Sequence, residues 1–414
     1  VSRTVRVIVV NADEQVAPEL RAALLAVDGV HIVAEIDEPA LVPQALAQFP
    51  AEVLLVHLDP HPAAMMDVIA PLLKAHKGQL AAIGMTDDHD ADLVVRAMRA
   101  GMREFLWKPF PPEQLCEILQ RVGAEAQSAG RRCGRLFVVL GTCGGVGATS
   151  LATNLAVELA QLEGWTPEAN PAARPRVAVV DLDLRFGQVA IQLDAQPAYT
   201  IAELAETPEQ IDPQMLERAM FKHACGVHVL ARPNDFAQAE QITPAHAASV
   251  LASLLEHYDF VVADLPVRFD PGARAVFDMA DTYLLVLQLL VPAVRNADRV
   301  LQALDRSGYA AERLRLVCNR SGRESGYLEP GDVEATLRRK LDFAVPDDWK
   351  VSSTAVNMGA PLLSHAPKTK LRQAYRQMAL TLAKGREPAG ETPADVDSAR
   401  GRKGLLSFLA GAKP

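Results

Sequence analysis

The sequence predicts an α/β chain with two doubly wound parallel sheets, and three observations carry that expectation. Strand-like runs rich in Val, Ile and Leu alternate with helical stretches five times before residue 122. A sixth apolar run, Leu136 to Leu140, opens into Gly141-Thr142-Cys143-Gly144-Gly145-Val146-Gly147-Ala148-Thr149-Ser150 ahead of another helical pattern. Later apolar runs end in carboxylates at Asp181 and Asp264. Parallel strands covered on both faces read as continuous apolar runs, and their C-terminal edge is where such sheets bind ligands.

The totals narrow the class. With 414 residues, 49% of them hydrophobic and 22% charged, the chain can bury two or three full cores. A net charge of −9 argues against a broad nucleic-acid footprint, which needs a basic face. The five cysteines (Cys116, Cys133, Cys143, Cys225, Cys318) are scattered without metal-ligand spacing, so they read as reduced thiols and zinc is set aside. No apolar run approaches the roughly 18 residues of a membrane span, and no charged-then-apolar export signal opens the sequence. The expected location is the cytoplasm, with a partner needed to hold the chain at a membrane.

The first domain is expected over residues 1–122. Its strands are Val5 to Val10, His31 to Glu35, Val53 to Leu58, Leu80 to Met85 and Glu104 to Trp107. The helices between and after them are Pro18 to Ala26, Leu41 to Gln48, Met65 to Ala75, Ala91 to Ala100 and Pro112 to Val122. Thr86 after the fourth strand and Lys108-Pro109-Phe110 after the fifth resemble the receiver domains of response regulators, a flavodoxin-like fold. The resemblance stops at the chemistry. His57 holds the place of the phosphoacceptor aspartate, with Asp59 displaced by two, and Asn11 and Ala12 stand where Mg²⁺ needs carboxylates, leaving Asp13. The expectation is a receiver-like docking or dimerisation module with no phosphorylation site and with Lys108 as a structural leftover. The competing reading has Asp59 or His57 accepting phosphate through a rearranged pocket.

A small, polar linker follows over 123–134, and a proline-rich loop is expected over 163–176. Between them lies the glycine nest. Strand, nest and helix N-terminus together suit a polyphosphate, yet Ala148 stands where the usual pattern has lysine. Asp181 and Asp183 close a buried strand at alternate positions, so strand periodicity points both at the loop's ligand. Tyr258 to Asp264 is the second nucleotide-triphosphatase signature, with Asp264 near Mg²⁺ through water and Thr149 supplying a hydroxyl. Further strands are expected at Val227 to Leu230, Thr282 to Leu287 and Leu314 to Val317, and helices at Pro244 to His257 and Val294 to Ser307.

In order, the loop 141–150, Asp181-x-Asp183, Asp264-Leu265-Pro266, Asn319-Arg320 and Asn357-Met358-Gly359-Ala360-Pro361 resemble the MinD/ParA ATPases and their deviant phosphate loop. A receiver-like domain ahead of such an ATPase over 135–384 resembles the CpaE/TadZ proteins of Flp (Tad) pilus assembly. The resemblance implies that the backbone from Cys143 to Thr149 wraps the phosphates of ATP. It further implies Thr149 on Mg²⁺ with Asp181 and Asp264 in its outer shell, Asp183 orienting water, and Asn319 reading the adenine edge. Two lysines of the family pattern are absent here, replaced by Cys143 and Ala148. A charge-assisted hydrogen bond is worth about 1.5–3 kcal/mol, so weak binding and weak or negligible hydrolysis are expected, unless Arg185 or Arg320 substitutes.

The tail 385–414 reads as disordered and ends in a short basic-then-apolar segment, 401–410, suited to a membrane surface or a partner helix. The function expected is an ATP-binding, homodimeric localisation or assembly factor of a Flp-type pilus or type IV-like secretion machine, at a cell pole or peripheral to the inner membrane. The alternatives are an active ATPase positioning cargo by nucleotide cycling and a phosphorylation-controlled regulator.

Overall fold

The computed structural model describes residues 5–13, 15–27, 30–49, 51–75, 80–88, 90–111, 113–119, 121, 134–163, 174–206, 211, 213–266, 271–307, 309, 311–322 and 328–384. The linker expected at 123–134, apart from Gly134, lies outside the described residues, as do most of the loop expected at 163–176 and the whole tail 385–414.

The first sheet comprises β1 (Val5–Val10), β2 (Val30–Ile36), β3 (Val53–His57), β4 (Ala81–Thr86) and β5 (Met102–Trp107). Alternating with them are α1 (Ala17–Leu25), α2 (Val42–Gln48), α3 (Pro62–Ala75), α4 (Ala91–Ala100) and α5 over 113–119. The strand order is β2-β1-β3-β4-β5 and every pair is parallel, the flavodoxin-like arrangement. β1, β3 and β4 are buried along their whole length, which is why they carry apolar residues without alternation.

The second sheet has eight strands: β6 (Arg135–Gly141), β7 (Val177–Asp181), β8 (Phe221–Lys222), β9 (Val227–Leu230), β10 (Phe260–Leu265), β11 (Thr282–Leu287), β12 (Leu314–Ser321) and β13 (Phe343–Pro346). Their order is β13-β12-β11-β6-β10-β7-β9-β8. All pairs are parallel except β8 with β9, a two-residue antiparallel edge that the apolar pattern is too short to reveal. Helices α6 (Ala148–Leu159), α7 (Val189–Gln192), α8 (Ile201–Ala205), α9 (Pro213–Ala219), α10 (Phe236–Gln241) and α11 (Pro244–His257) occupy its first half. Its second half carries α12 (Pro271–Met279), α13 (Val291–Arg306), α14 (Pro330–Leu337), α15 (Trp349–Asn357), α16 (Leu362–His365) and α17 (Lys370–Lys384). β10 lies between β6 and β7, with Asp264 paired in register with both Val139 and Asp181. That insertion brings the two carboxylates side by side at the edge where the glycine loop begins.

The two sheets pack against each other through α12 and β2, and buried apolar residues from both form one continuous cluster. Polar groups clamp the junction. The Arg313 guanidinium, 5% exposed as a residue, donates to the carbonyls of Val27 and Val30 at 3.1 and 2.7 Å. Arg21 bridges Glu35 and Asp278, and Tyr309 Oη donates to Asp278 Oδ1 at 2.8 Å. His31 is buried with Nε2 3.5 Å from Asp281 Oδ1, while Asp281 Oδ2 accepts from the Leu136 amide at 2.7 Å. Arg313→Ala leaves two buried carbonyls without that donor, and chemical denaturation should register a loss of about 2–3 kcal/mol.

Candidate functional site

The glycine loop is held by its carbonyls. The Asn296 side chain donates to Thr142 O at 2.9 Å, Gln288 to Gly145 O at 3.3 Å, and Asn319 Nδ2 to Val146 O at 2.6 Å. Gly145 and Gly147 have φ of 77° and 94°, left-handed values that favour glycine. A Cβ on Gly147 would also overlap the Asn319 amide. Gly147 is the N-cap of α6 and brings no capping side chain, so the first-turn amides of Ala148, Thr149 and Ser150 lack intrahelical partners and suit an anion.

Beside the loop, Thr149 Oγ1 donates to Asp264 Oδ2 at 2.6 Å. Asp264 is 3% exposed, and burial pushes its carboxyl up to about 6 against the opposing Thr149 bond. Asp181, 1% exposed, is pushed up to about 8 by burial and then by the adjacent Asp264. Its Oδ2 accepts from the Val189 amide at 3.0 Å, and its Oδ1 has no hydrogen-bond partner. Two buried carboxylates in register, one with an orphaned oxygen, fit a nearby cation. Among the described residues, no group of three His, Cys, Asp or Glu side chains could ligate a metal directly. Thr149, with Asp181 and Asp264 behind it, would therefore hold Mg²⁺ together with water and phosphate oxygens.

Two expectations for the residues around the loop change. β7 ends at Asp181, so Asp183 is not placed by strand alternation; it sits half-buried in the following turn, its Oδ1 accepting from the Phe186 amide at 3.2 Å. It remains close enough to raise both other carboxyls. Asn319 lies inside β12 rather than beyond the strand, with Oδ1 accepting from the Arg320 amide at 2.9 Å and Nδ2 committed to the loop.

Cys143 is exposed and Ala148 half-buried, so neither lysine position supplies a cation. Of the two arginines expected to compensate, Arg185 pairs with Glu240 at 3.4 Å, whereas Arg320 Nη2 lies 3.5 Å from Gly145 O. Sequence reasoning gave no role to Gly187, Gln288 or Asn296. Gln288 could have been found as the first polar residue after the apolar run of β11. Gly187 had no local signal: a Cβ there would overlap the Asp181 carboxylate across the turn. Gly187→Ala is expected to cost about 1–3 kcal/mol of stability by overpacking and to displace Asp181, which calorimetry with and without Mg²⁺-nucleotide would detect.

At the C-terminal edge of the first sheet, Lys108 is not a leftover. Its Nζ lies 2.9 Å from Asp59 Oδ2 and 3.3 Å from Asp87 Oδ2, and donates to His57 Nε2 at 2.7 Å. Asp59 Oδ1 accepts from Thr86 Oγ1 at 2.8 Å. Burial raises the Asp59 carboxyl, but Lys108, Thr86 and the Asp87 amide together bring it below its ordinary value. Burial and Lys108 lower the His57 imidazole, whose Nδ1 faces Asn11 Oδ1 at 2.7 Å.

No family model matches the chain. The septum site-determining protein MinD of Thermotoga maritima is 25% identical over 284 residues, covering 67% of this chain and 96% of that protein. MinD of Bacillus subtilis is 26% identical over 254 residues, covering 59% and 88%. The chain is homologous to the MinD/ParA ATPases. Solved structures share the MinD/ParA-like fold. A ParA family ATPase from Chlorobium tepidum superimposes with a TM-score of 0.54 at 20% identity, over 59% of this chain and 98% of that one. MinD from Pyrococcus horikoshii, complexed with Mg-ADP, superimposes at 0.51 and 22% identity, over 59% and 94%. Among the described residues no helix is long and apolar enough to cross a membrane.

Proposed function

We propose that this chain binds ATP with Mg²⁺ at the loop 141–150 and acts as a nucleotide-dependent localisation or assembly factor with weak or no hydrolysis. The observation that carries the reading is a complete cradle without lysine: braced loop carbonyls, uncapped first-turn amides, Thr149 on Asp264, and the orphaned oxygen of Asp181. The Mg-ADP found in the P. horikoshii MinD supports the choice of ligand. Bound Mg²⁺ would offset phosphate charge, and Thr149, Asp181 and Asp264 are the residues to hold it. Asp183 is the candidate for orienting a water, and Asn319, which braces the loop, is the candidate for reading the adenine edge. Hydrolysis is the weaker activity because phosphoryl transfer depends on cations set over developing charge, and Cys143 and Ala148 provide none.

Homodimerisation through the nucleotide face is part of the proposal. Exposed Phe186, Phe236, Leu290, Val291 and Trp349 all follow C-terminal ends of second-sheet strands, the edge at which the loop also begins, and exposed apolar groups gathered at one edge mark an interaction surface. We assign residues 1–122 as a receiver-like docking module and 135–384 as the nucleotide-binding unit, in the manner of the CpaE/TadZ proteins of Flp pilus assembly. Partners are then a second copy and pilus, secretion or polar proteins, with peripheral membrane contact through the tail. Both carboxylate oxygens of Asp59 are engaged, by Thr86 or by Lys108 and the Asp87 amide, and Asn11 and Ala12 offer no carboxylate for the Mg²⁺ that phosphorylation needs, which opposes the regulator reading. The proximity of Arg320 to the loop favours the active-ATPase alternative.

Titration with Mg²⁺-ATP, oligomer mass being followed by light scattering, is expected to give saturable binding and a shift towards dimer. Absence of binding at millimolar nucleotide would refute the reading. Turnover abolished by Asp183→Ala would replace it with the active-ATPase alternative.

A further inference from the structure

The phosphate loop lacks both lysines, yet one cation stands at its rim. Arg320 has a left-handed backbone, φ 53°, unusual for a residue with a side chain. It directly follows Asn319, which bonds the loop at Val146. From there its Nη2 lies 3.5 Å from Gly145 O, and its guanidinium carbon sits 5.3 Å from the centroid of the Trp349 ring. Trp349, at the start of α15, is 63% exposed. No carboxylate among the described residues pairs with Arg320, in contrast to Arg185, which Glu240 holds. A guanidinium with no carboxylate partner among the described residues, supported on an aromatic face and reaching a carbonyl of the phosphate loop, is a charge placed to meet an anion there.

We infer that Arg320, presented from β12 and steadied by Trp349, supplies in this chain the phosphate-facing positive charge that Cys143 and Ala148 do not. The inference rests on the nucleotide-binding reading and deepens it: the ligand's phosphates are recognised by an arginine from a neighbouring strand instead of a lysine within the loop. Trp349 acts as a positioning residue. It restricts the guanidinium without bearing charge, so its loss should cost less than loss of the arginine itself.

Equilibrium binding of Mg²⁺-ATP, and of adenosine as a probe without phosphate, tests this in the full chain. Arg320→Ala is expected to weaken ATP binding at least tenfold and leave adenosine binding unchanged. Arg320→Lys should recover part of the loss, and Trp349→Ala should produce an intermediate one. Ala148→Lys should gain more ATP affinity in the Arg320→Ala protein than in wild type, a non-additivity that a purely structural role for Arg320 would not produce. ATP affinity within twofold of wild type in Arg320→Ala would overturn the inference, as would equal losses for ATP and adenosine. In either case the nucleotide-binding reading survives, because the wild type still binds ATP. A wild-type chain that binds no ATP would remove both.

Discussion

Ala148→Lys is expected to tighten Mg²⁺-ATP binding by about ten- to a hundredfold, the equivalent of one charge-assisted hydrogen bond of about 1.5–3 kcal/mol. Residue 148 is the first of α6, directly after the left-handed Gly147, and it is half-buried at the rim of the loop. A lysine there extends over the same amides that would meet the phosphates. Turnover should rise more steeply than affinity, since a fixed cation stabilises charge that develops in the transition state. Isothermal titration and a phosphate-release assay on the same preparation separate the two effects. Unchanged affinity would mean that phosphates do not lie against the first turn of α6.

Asp181→Asn is expected to stabilise the ligand-free protein at neutral pH while destroying its response to Mg²⁺-nucleotide. The Asp181 carboxyl is raised from an ordinary 3.8 to about 8, by burial first and by Asp264 second. Between those values the native state binds more protons than the unfolded chain, so stability from this group is fullest below about pH 4 and declines as pH rises towards about 8. Asparagine does not titrate. Its stability curve over that interval should be flatter, and at pH 7.5 the variant should exceed wild type by about 2–3 kcal/mol, allowing for water penetration around the carboxylate pair. With Mg²⁺-ATP the order should reverse, because a nearby cation favours the ionised wild-type carboxylate and not the amide. Denaturant melts at pH 5 and 7.5, with and without Mg²⁺-ATP, check both signs. A variant equal to wild type at pH 7.5 would show that Asp181 is ionised without a cation.

The two parallel sheets, the glycine loop at the end of β6 and the carboxylates ending β7 and near the end of β10 were legible in the sequence because they depend on local facts. Strands buried on both faces must be apolar throughout, a tight turn around an anion calls for glycine, and a carboxylate after an apolar run marks the strand's open end. The absence of lysine at Cys143 and Ala148 could be read in the same way. What surrounds those residues arises from pairings between segments far apart in the chain. The insertion of β10 between β6 and β7 sets Asp264 beside Asp181 and raises both carboxyls. Asp183 fell outside the strand rule because β7 stops two residues earlier. Gly187 is required by a carboxylate six positions before it, and Lys108 gains its role from His57 and Asp59 on another strand and its following turn. The junction at which α12 packs on β2 is likewise pinned by buried polar matches, Arg313 to the Val27 and Val30 carbonyls among them, that leave no periodic trace in the sequence. Local conformation and burial are encoded in short patterns, whereas the neighbour that gives a side chain its charge state or its partner is chosen by strand order.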